Sequence, residues 1–508
     1  MFELKLNIQT IKEEFSNNKH YIQKSFFIAF FSVLPQFLII SKINHFSTLF
    51  FTIILLILLS KISKFLFFLF VIYINITNII LVHIKIHWGG SFADRLGVAL
   101  ESPLYETKEY LSIYITWQDY LIIAYSILLI ILTIRFILSF SYNHLYKNIK
   151  IFLSLVIFLL LIKHEPFNMV NKYFKVKDRA NLVYQRNENL RKEHLINVTN
   201  PVQFYDKIII IQGESANKHH LSLYGYSIKT TPFLDELFQN KQIYKFNVIA
   251  PSNQTRYSVP MIFSPANVSH WKQNFVNNHS IITDFKINGY NTYWISNQGK
   301  VGKHEDYVTS IAEEANNTIF FNKGSYSSAK SDIVIKNYLD EKNKNSKKEF
   351  YVFHLIGSHG NYNKRYLKDK VIFKIPKSII EEYDNSIYFT DYILQNIFNY
   401  FNNNMKVLIV YLSDHGEVVN VKKNGHGFLP PFKDEYDIPM IIFSNVKNKR
   451  IEELQKLNKK AFNMENMNYI IKYITYLSDD LNISYSTKIF SVEPKHQFDY
   501  NNIDYFSE

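Results

Sequence analysis

"KIIIIQGESANKHHLSLYGY", residues 207–226, opens as a buried strand and breaks at a carboxylate. Its consecutive isoleucines are β-branched and show no polar alternation, so they read as a strand covered on both faces. Gly213 ends the run, and Glu214 and Ser215 follow where the chain turns. Any polar residue would stop such a strand, so the choice of a carboxylate asks for a chemical explanation.

The same rhythm continues outward from this stretch. Apolar, β-branched runs predict strands over Lys207 to Ile211, Phe246 to Ala250, Thr292 to Ile295, Glu349 to Leu355, Lys406 to Leu412 and Pro439 to Phe443. Amphipathic stretches between them predict helices over Thr231 to Gln239, Ile281 to Ile287, Asp332 to Asn343, Ser378 to Asn402 and Met467 to Leu477. Such alternation argues for an α/β/α sandwich, a largely parallel sheet with helices on both faces. Ligands of these sheets bind beyond the carboxyl ends of the strands. Glu214, the segment around Thr255, Ser358 with His359, and Asp414 with His415 each follow a predicted strand directly. Four separate pieces of chain therefore converge on one edge.

Glu214, Asp414 and His415 supply two carboxylates and an imidazole, a donor set that can hold a divalent cation with one position open. Oxygen-rich ligation with one nitrogen suits zinc and also permits manganese. In "PSNQTRYSVPMIFSP", Thr255 precedes an apolar, helix-like stretch, where its hydroxyl is either a helix cap or a fourth ligand. A hydroxyl on a metal becomes a nucleophile near neutral pH, and a helix starting there aims free N–H groups at an incoming phosphate. The adjacent His219 and His220 read as a surface turn.

The chain of 508 residues is too long for one ordinary domain. Its formal charge of +13 comes from scattered lysines, with no basic, aromatic-interleaved nucleic-acid motif, so a membrane surface is the simpler partner. The absence of cysteine excludes disulfides, Cys-type zinc sites and thiol nucleophiles.

Hydropathy divides the chain near residue 165. Before it lie five apolar segments: Phe26 to Ile40, Phe46 to Leu59, Phe65 to Val82, Tyr120 to Phe140 and Ile151 to Ile162. Lysine and arginine concentrate on one side of these segments, at Lys5, Lys12, Lys19, Lys24, Lys61, Lys64, Arg135, Lys147 and Lys150. The positive-inside rule then puts the N-terminus in the cytoplasm, and both the loop from Trp88 to Trp117 and everything after Lys163 outside. The expected organisation is a transmembrane domain over residues 1–164, a connector over 165–204 with a helical stretch from Lys175 to Leu195, and a catalytic domain over 205–508.

Together, "GESANKHHLSLYGYSIKTTPFLD", "TRYSVPMIFS", "FHLIGSHGNYNKRY", "EYDNSIYFTDYIL" and "YLSDHGE" followed by "NGHG" resemble, in order and spacing, the membrane-anchored phosphoethanolamine transferases of the alkaline phosphatase and sulfatase superfamily from Gram-negative bacteria. The resemblance implies an inner-membrane, multi-pass protein with its catalytic domain in the periplasm. It implies zinc bound by Glu214, Thr255, Asp414 and His415, with Thr255 as the nucleophile that carries phosphoethanolamine. His359 and His426 match histidines that contact the transferred phosphate, and Ser215 becomes a turn residue. In the outside loop, "LESPLYETKEYL" matches the donor-binding segment, so Ser102 and Glu106 are expected at the ethanolamine head group. "WISNQGKVGKHEDY" departs from the lipid A-modifying members and leaves Asn297 and Lys300 as the substrate-binding candidates there.

The implied reaction moves phosphoethanolamine from phosphatidylethanolamine through the threonine to lipid A, a lipopolysaccharide core sugar or another envelope glycan, releasing diacylglycerol. Rival readings within the superfamily are a phosphoglycerol transferase, a phosphodiesterase or a sulfatase. The formylglycine-type sulfatases need a cysteine or serine where this chain has threonine. From another class, a transporter or an inactive scaffold is opposed by spans without an ionisable residue well inside their cores and by the presence of every expected ligand.

Overall fold

The computed structural model describes residues 19–39, 44–88, 115–139, 181–192, 204–299, 307–322, 331–342, 348–402, 405–481, 483 and 485–507. The chain divides into two compact units, Met1–Leu96 with Tyr114–Lys175, and Gly97–Ile113 with Val176–Glu508.

Four helices form the described part of the first unit: α1 (Lys19–Ile39), α2 (Asn44–Ile62), α3 (Lys64–His87) and α4 (Trp117–Ser139). They coincide with four expected segments, and the fifth, Ile151 to Ile162, lies outside the described residues. Among those described, α3 and α4 are long and apolar enough to cross a membrane. Helices suit an apolar solvent because each backbone donor finds its acceptor within the segment. Between them, polar side chains pair with one another: Gln36 Nε2 donates to Asn78 Oδ1 at 3.0 Å, and Asn78 Nδ2 to the Ser32 carbonyl at 2.7 Å. Such bonds fix α1 against α3 where hydrophobicity alone gives no preference. The helices overrun their expected limits. α3 continues past Val82 to His87, and α4 starts before Tyr120, so His83, His87 and Asp119 are helical.

An eight-stranded sheet organises the second unit. Its strands are β1 (Lys207–Gly213), β2 (Ile243–Ile249), β3 (Asn291–Gly299), β4 (Asn317–Asn322), β5 (Glu349–His354), β6 (Val407–Ser413), β7 (Asp437–Ser444) and β8 (Phe462–Asn463), in the order β8-β2-β7-β6-β1-β5-β3-β4. β1 is central and pairs in parallel with both β5 and β6. The expected parallel sheet is present with one exception, since β7 runs antiparallel to both its neighbours. The edge strands β4 and β8 are additions to the expected set; "NTIFFN" is too short and too bounded by asparagine to stand out in an asparagine-rich chain.

The isoleucine run does what its pattern requires. Ile208 and Ile210 enter a core with Phe246, Val352 and Met440 on one face, and Ile209 and Ile211 enter another with Phe353, Ile393 and Leu394. Each fully buried isoleucine contributes about 1.5–3 kcal/mol, which anchors the strand whose end supplies Glu214.

Two helices matter for the rim. α5 (Thr255–Phe263) follows β2 and is buried from Tyr257 onward. α6 (Ile379–Phe401) is capped by Ser378, whose hydroxyl accepts from the Glu381 N–H at 3.2 Å. The connector is helical over residues 181–192 and packs on this unit through buried Val183 and through Arg186, which pairs with Glu314.

Candidate active site

Glu214 and Asp414 stand side by side because β1 and β6 are paired in parallel register through Gly213 and Ser413. Ser215 turns the chain away at a left-handed φ of 57°, and its hydroxyl donates to Glu214 Oε1 at 3.1 Å. The Tyr383 hydroxyl on α6 secures that turn by donating to the Ser215 carbonyl at 2.7 Å. Ser215 is thus committed to the turn, as its expected role requires.

Thr255 opens α5 at the same rim. Its Oγ1 donates toward the Glu214 carboxylate at 3.2 and 3.3 Å, and lies 3.3 Å from His415 Nε2. His415 Nε2 is in turn 3.2 Å from Glu214 Oε1 and 3.4 Å from Asp414 Oδ2. The other ring nitrogen, Nδ1, is 2.9 Å from the Gly416 carbonyl. That contact places a proton on Nδ1 and turns Nε2 toward the carboxylates.

Glu214, Asp414 and His415 are all buried, with donor atoms within 4.8 Å of one another. Asp414 Oδ1 accepts from the N–H groups of Ser215 and His415, whereas Oδ2 has no hydrogen-bond partner. A buried carboxylate oxygen without a hydrogen bond, beside a second carboxylate and an oriented imidazole, fits a divalent cation. Proton affinities agree. Burial alone raises Glu214, yet the His415 charge holds its carboxyl well below the usual range. Burial and the Glu214 charge push Asp414 upward. Burial depresses His415, but the two acids outweigh it and raise the imidazole to about 10. The donor groups therefore attract positive charge strongly.

Around these four residues the structure adds two that sequence reasoning missed. Gln298, at the end of β3, donates through Nε2 to Glu214 Oε2 at 2.7 Å and to the Leu355 carbonyl at 2.9 Å. Glu417 accepts from Tyr362 at 2.7 Å and contacts His426 Nδ1 at 2.8 Å, and burial raises its carboxyl to about 7. Gln298 sat within the quoted "WISNQGK", and Glu417 closes "YLSDHGE", but neither directly follows a strand expected from the sequence, Gln298 lying past Ile295 and Glu417 past Asp414 and His415. The His426 ring lies tilted against that of His415 with centroids 4.0 Å apart, and the His359 ring is 6.1 Å from that of His426. The sequence-derived histidines are thus gathered at the rim.

Other expected residues fall differently. Asn297 is buried behind the rim, its Nδ2 donating to Asp332 Oδ1 at 2.9 Å, an arrangement that supports the loop after β5 more directly than a substrate. Asp332 also accepts from the Ile356 and Gly357 N–H groups. Ser102, Glu106 and Lys300 lie outside the described residues. His219 and His220 occupy a short turn, Lys218–His220, where each meets a different acid, Asp437 at 2.6 Å and Asp384 at 2.8 Å.

A mostly parallel sheet with acids, an imidazole and a hydroxyl converging at its carboxyl edge defines an α/β class with a metal-compatible centre. The Sulfatase family model matches residues 206–471, more than half of the chain, and the chain belongs to that family. Among relatives, YhbX of Escherichia coli K12, named only as a candidate transferase, is 28% identical over 322 residues, covering 60% of this chain and 57% of that protein. Phosphoethanolamine transferase EptC of the same organism is 25% identical over 306 residues, covering 56% of this chain and 53% of its own length. The chain thus spans little more than half the length of these curated relatives. The integral membrane lipooligosaccharide phosphoethanolamine transferase A (EptA) of Neisseria meningitidis has a related fold, with a TM-score of 0.56 at 16% identity, over 90% of this chain and 95% of that one.

Proposed function

We propose that this protein is a membrane-anchored phosphoethanolamine transferase that takes its donor group from phosphatidylethanolamine and delivers it to an envelope glycan such as lipid A or a lipopolysaccharide core sugar. The observation that carries the reading is the Thr255 hydroxyl, held 3.2–3.3 Å from both Glu214 and His415 at the start of α5. The names of relatives that transfer phosphoethanolamine supply the group transferred. In this reading the five apolar segments are spans, the second unit faces the periplasm, and Ser102 and Glu106 meet the head group.

Glu214, Asp414, His415 and Thr255 would hold zinc. When bound, that ion supplies Lewis-acid charge that favours the alkoxide of a hydroxyl and offsets charge on phosphoryl oxygens. The chain's own groups supply the rest. Thr255 Oγ attacks the donor phosphorus, its bond to the diacylglycerol oxygen breaks, and that oxygen takes a proton as diacylglycerol leaves. An acceptor hydroxyl or phosphate oxygen then attacks the phosphothreonine, and Thr255 Oγ leaves and is reprotonated. His359 and His426 sit where they can steady the phosphoryl oxygens and carry these protons, with Glu417 orienting His426. The N–H groups at the start of α5 face the same phosphate.

Incubation of the detergent-solubilised protein with fluorescent phosphatidylethanolamine and, separately, phosphatidylglycerol tests the donor. Labelled diacylglycerol from the first substrate alone is expected. Release only from phosphatidylglycerol would make the protein a phosphoglycerol transferase. Mass analysis of envelope lipids and glycans from cells with and without the gene identifies the acceptor by the molecule that loses phosphoethanolamine.

A further inference from the structure

A second polar cluster lies in the first unit. His83 and His87 are four residues apart on α3, so both project from one face of the helix. Asp119, three residues into α4, meets both: His83 Nδ1 is 2.8 Å from Oδ1, and His87 Nε2 is 3.1 Å from Oδ2. The two rings approach to 4.6 Å. Asp119 is nearly enclosed, its side chain 5% exposed, while the imidazoles keep 17% and 11% of their surface in contact with solvent.

Structural duty alone does not explain this arrangement. Asp119 already serves its own helix, because the Thr116 N–H and hydroxyl both donate to Oδ2, at 2.7 and 3.0 Å. A capped helix start has no need of two imidazoles from a neighbour. In an apolar setting a polar cluster is costly unless it is used. Two imidazole nitrogens and one carboxylate, all within 4.8 Å, form a donor set that selects borderline transition ions over magnesium or calcium. The spacing of the histidines matches the way two of them on one helical face share an ion.

We propose that His83, His87 and Asp119 bind a divalent transition-metal ion of the zinc class, separate from the Glu214 centre, joining the end of α3 to the start of α4.

The test uses full-length protein in detergent carrying Glu214→Gln and Asp414→Asn, stripped with chelator and reloaded with cobalt(II). Adding His83→Gln and His87→Gln is expected to lower retained cobalt by about one ion per chain and to remove the visible absorption of imidazole-bound cobalt. Cobalt is also expected to raise the melting temperature of the parent and not of the histidine variant. Should the double histidine variant aggregate, Asp119→Asn is read in the same way. Equal cobalt content, spectrum and melting shift with and without these side chains would overturn the proposal.

Discussion

Gln298 on β3 holds Glu214, the residue just past β1: its amide donates to Oε2 at 2.7 Å while anchored to the Leu355 carbonyl at 2.9 Å. β5 lies between the two strands, so the orientation of a key carboxylate is set from two strands away. Gln298→Ala frees Glu214 to rotate. Metal affinity, followed by competition with a chelating dye, is expected to fall about 10-fold to 100-fold, with the melting temperature nearly unchanged. An unaltered affinity would show that Glu214 is held well enough by its other contacts, with Ser215, Thr255 and His415.

Thr255→Ala removes the hydroxyl and is expected to reduce turnover by about 10³-fold or more while membrane insertion is retained. Thr255→Ser keeps an oxygen at the same place and restores part of the rate. Intact-mass analysis of wild-type protein quenched with donor alone is expected to find phosphoethanolamine on the peptide containing Thr255, and activity in the alanine variant would end the nucleophile assignment.

Gly357 approaches the Glu214 backbone closely. A Cβ there would lie 2.7 Å from the Glu214 carbonyl oxygen and 2.9 Å from its nitrogen, and the residue has φ +48°. Gly357→Ala is expected to lower stability by about 1–3 kcal/mol and to displace the rim, so that activity falls further than the melting temperature alone explains. Denaturant unfolding alongside the lipid assay separates the two.

His354 introduces a pH dependence. Burial lowers its imidazole from an ordinary value of 6.5 to about 4, and Nε2 has no hydrogen-bond partner. The folded state therefore binds fewer protons than the unfolded state between those values. Stability is complete above pH 6.5 and is lost as pH falls toward 4, by about 3 kcal/mol over the interval. His354→Gln removes the titrating group, so the difference in melting temperature between pH 7 and pH 4.5 is expected to shrink in the variant. A difference as large as that of the wild type would assign the acid sensitivity elsewhere.

Much of this protein is written locally. The isoleucine run, the lack of alternation in the other strands and the amphipathic stretches between them determine a covered sheet, because burial on two faces leaves no polar position. Continuous apolar segments likewise mark the helices of the first unit. From strand ends alone, Glu214, Thr255, Asp414 and His415 could be placed on one edge, and the structure brings all four within contact. The antiparallel course of β7 was not legible, since strand direction depends on the connection and leaves no trace in the pattern of its side chains. Asn297 and Gln298 show the limit most clearly. They are neighbours in sequence with similar chemistry, but the pleat turns one toward Asp332 behind the rim and the other toward Glu214.

Local order of residues settled which segments are strands, which are helices and which chemical groups stand at their ends, because hydrophobic periodicity and turn chemistry act over a few residues. Only the folded chain decided which amide orients Glu214, that Asp414 keeps an oxygen without a hydrogen bond, and that two histidines of α3 share Asp119 of α4. These are contacts between residues far apart in sequence, fixed by strand pairing and helix packing that no short window of sequence contains.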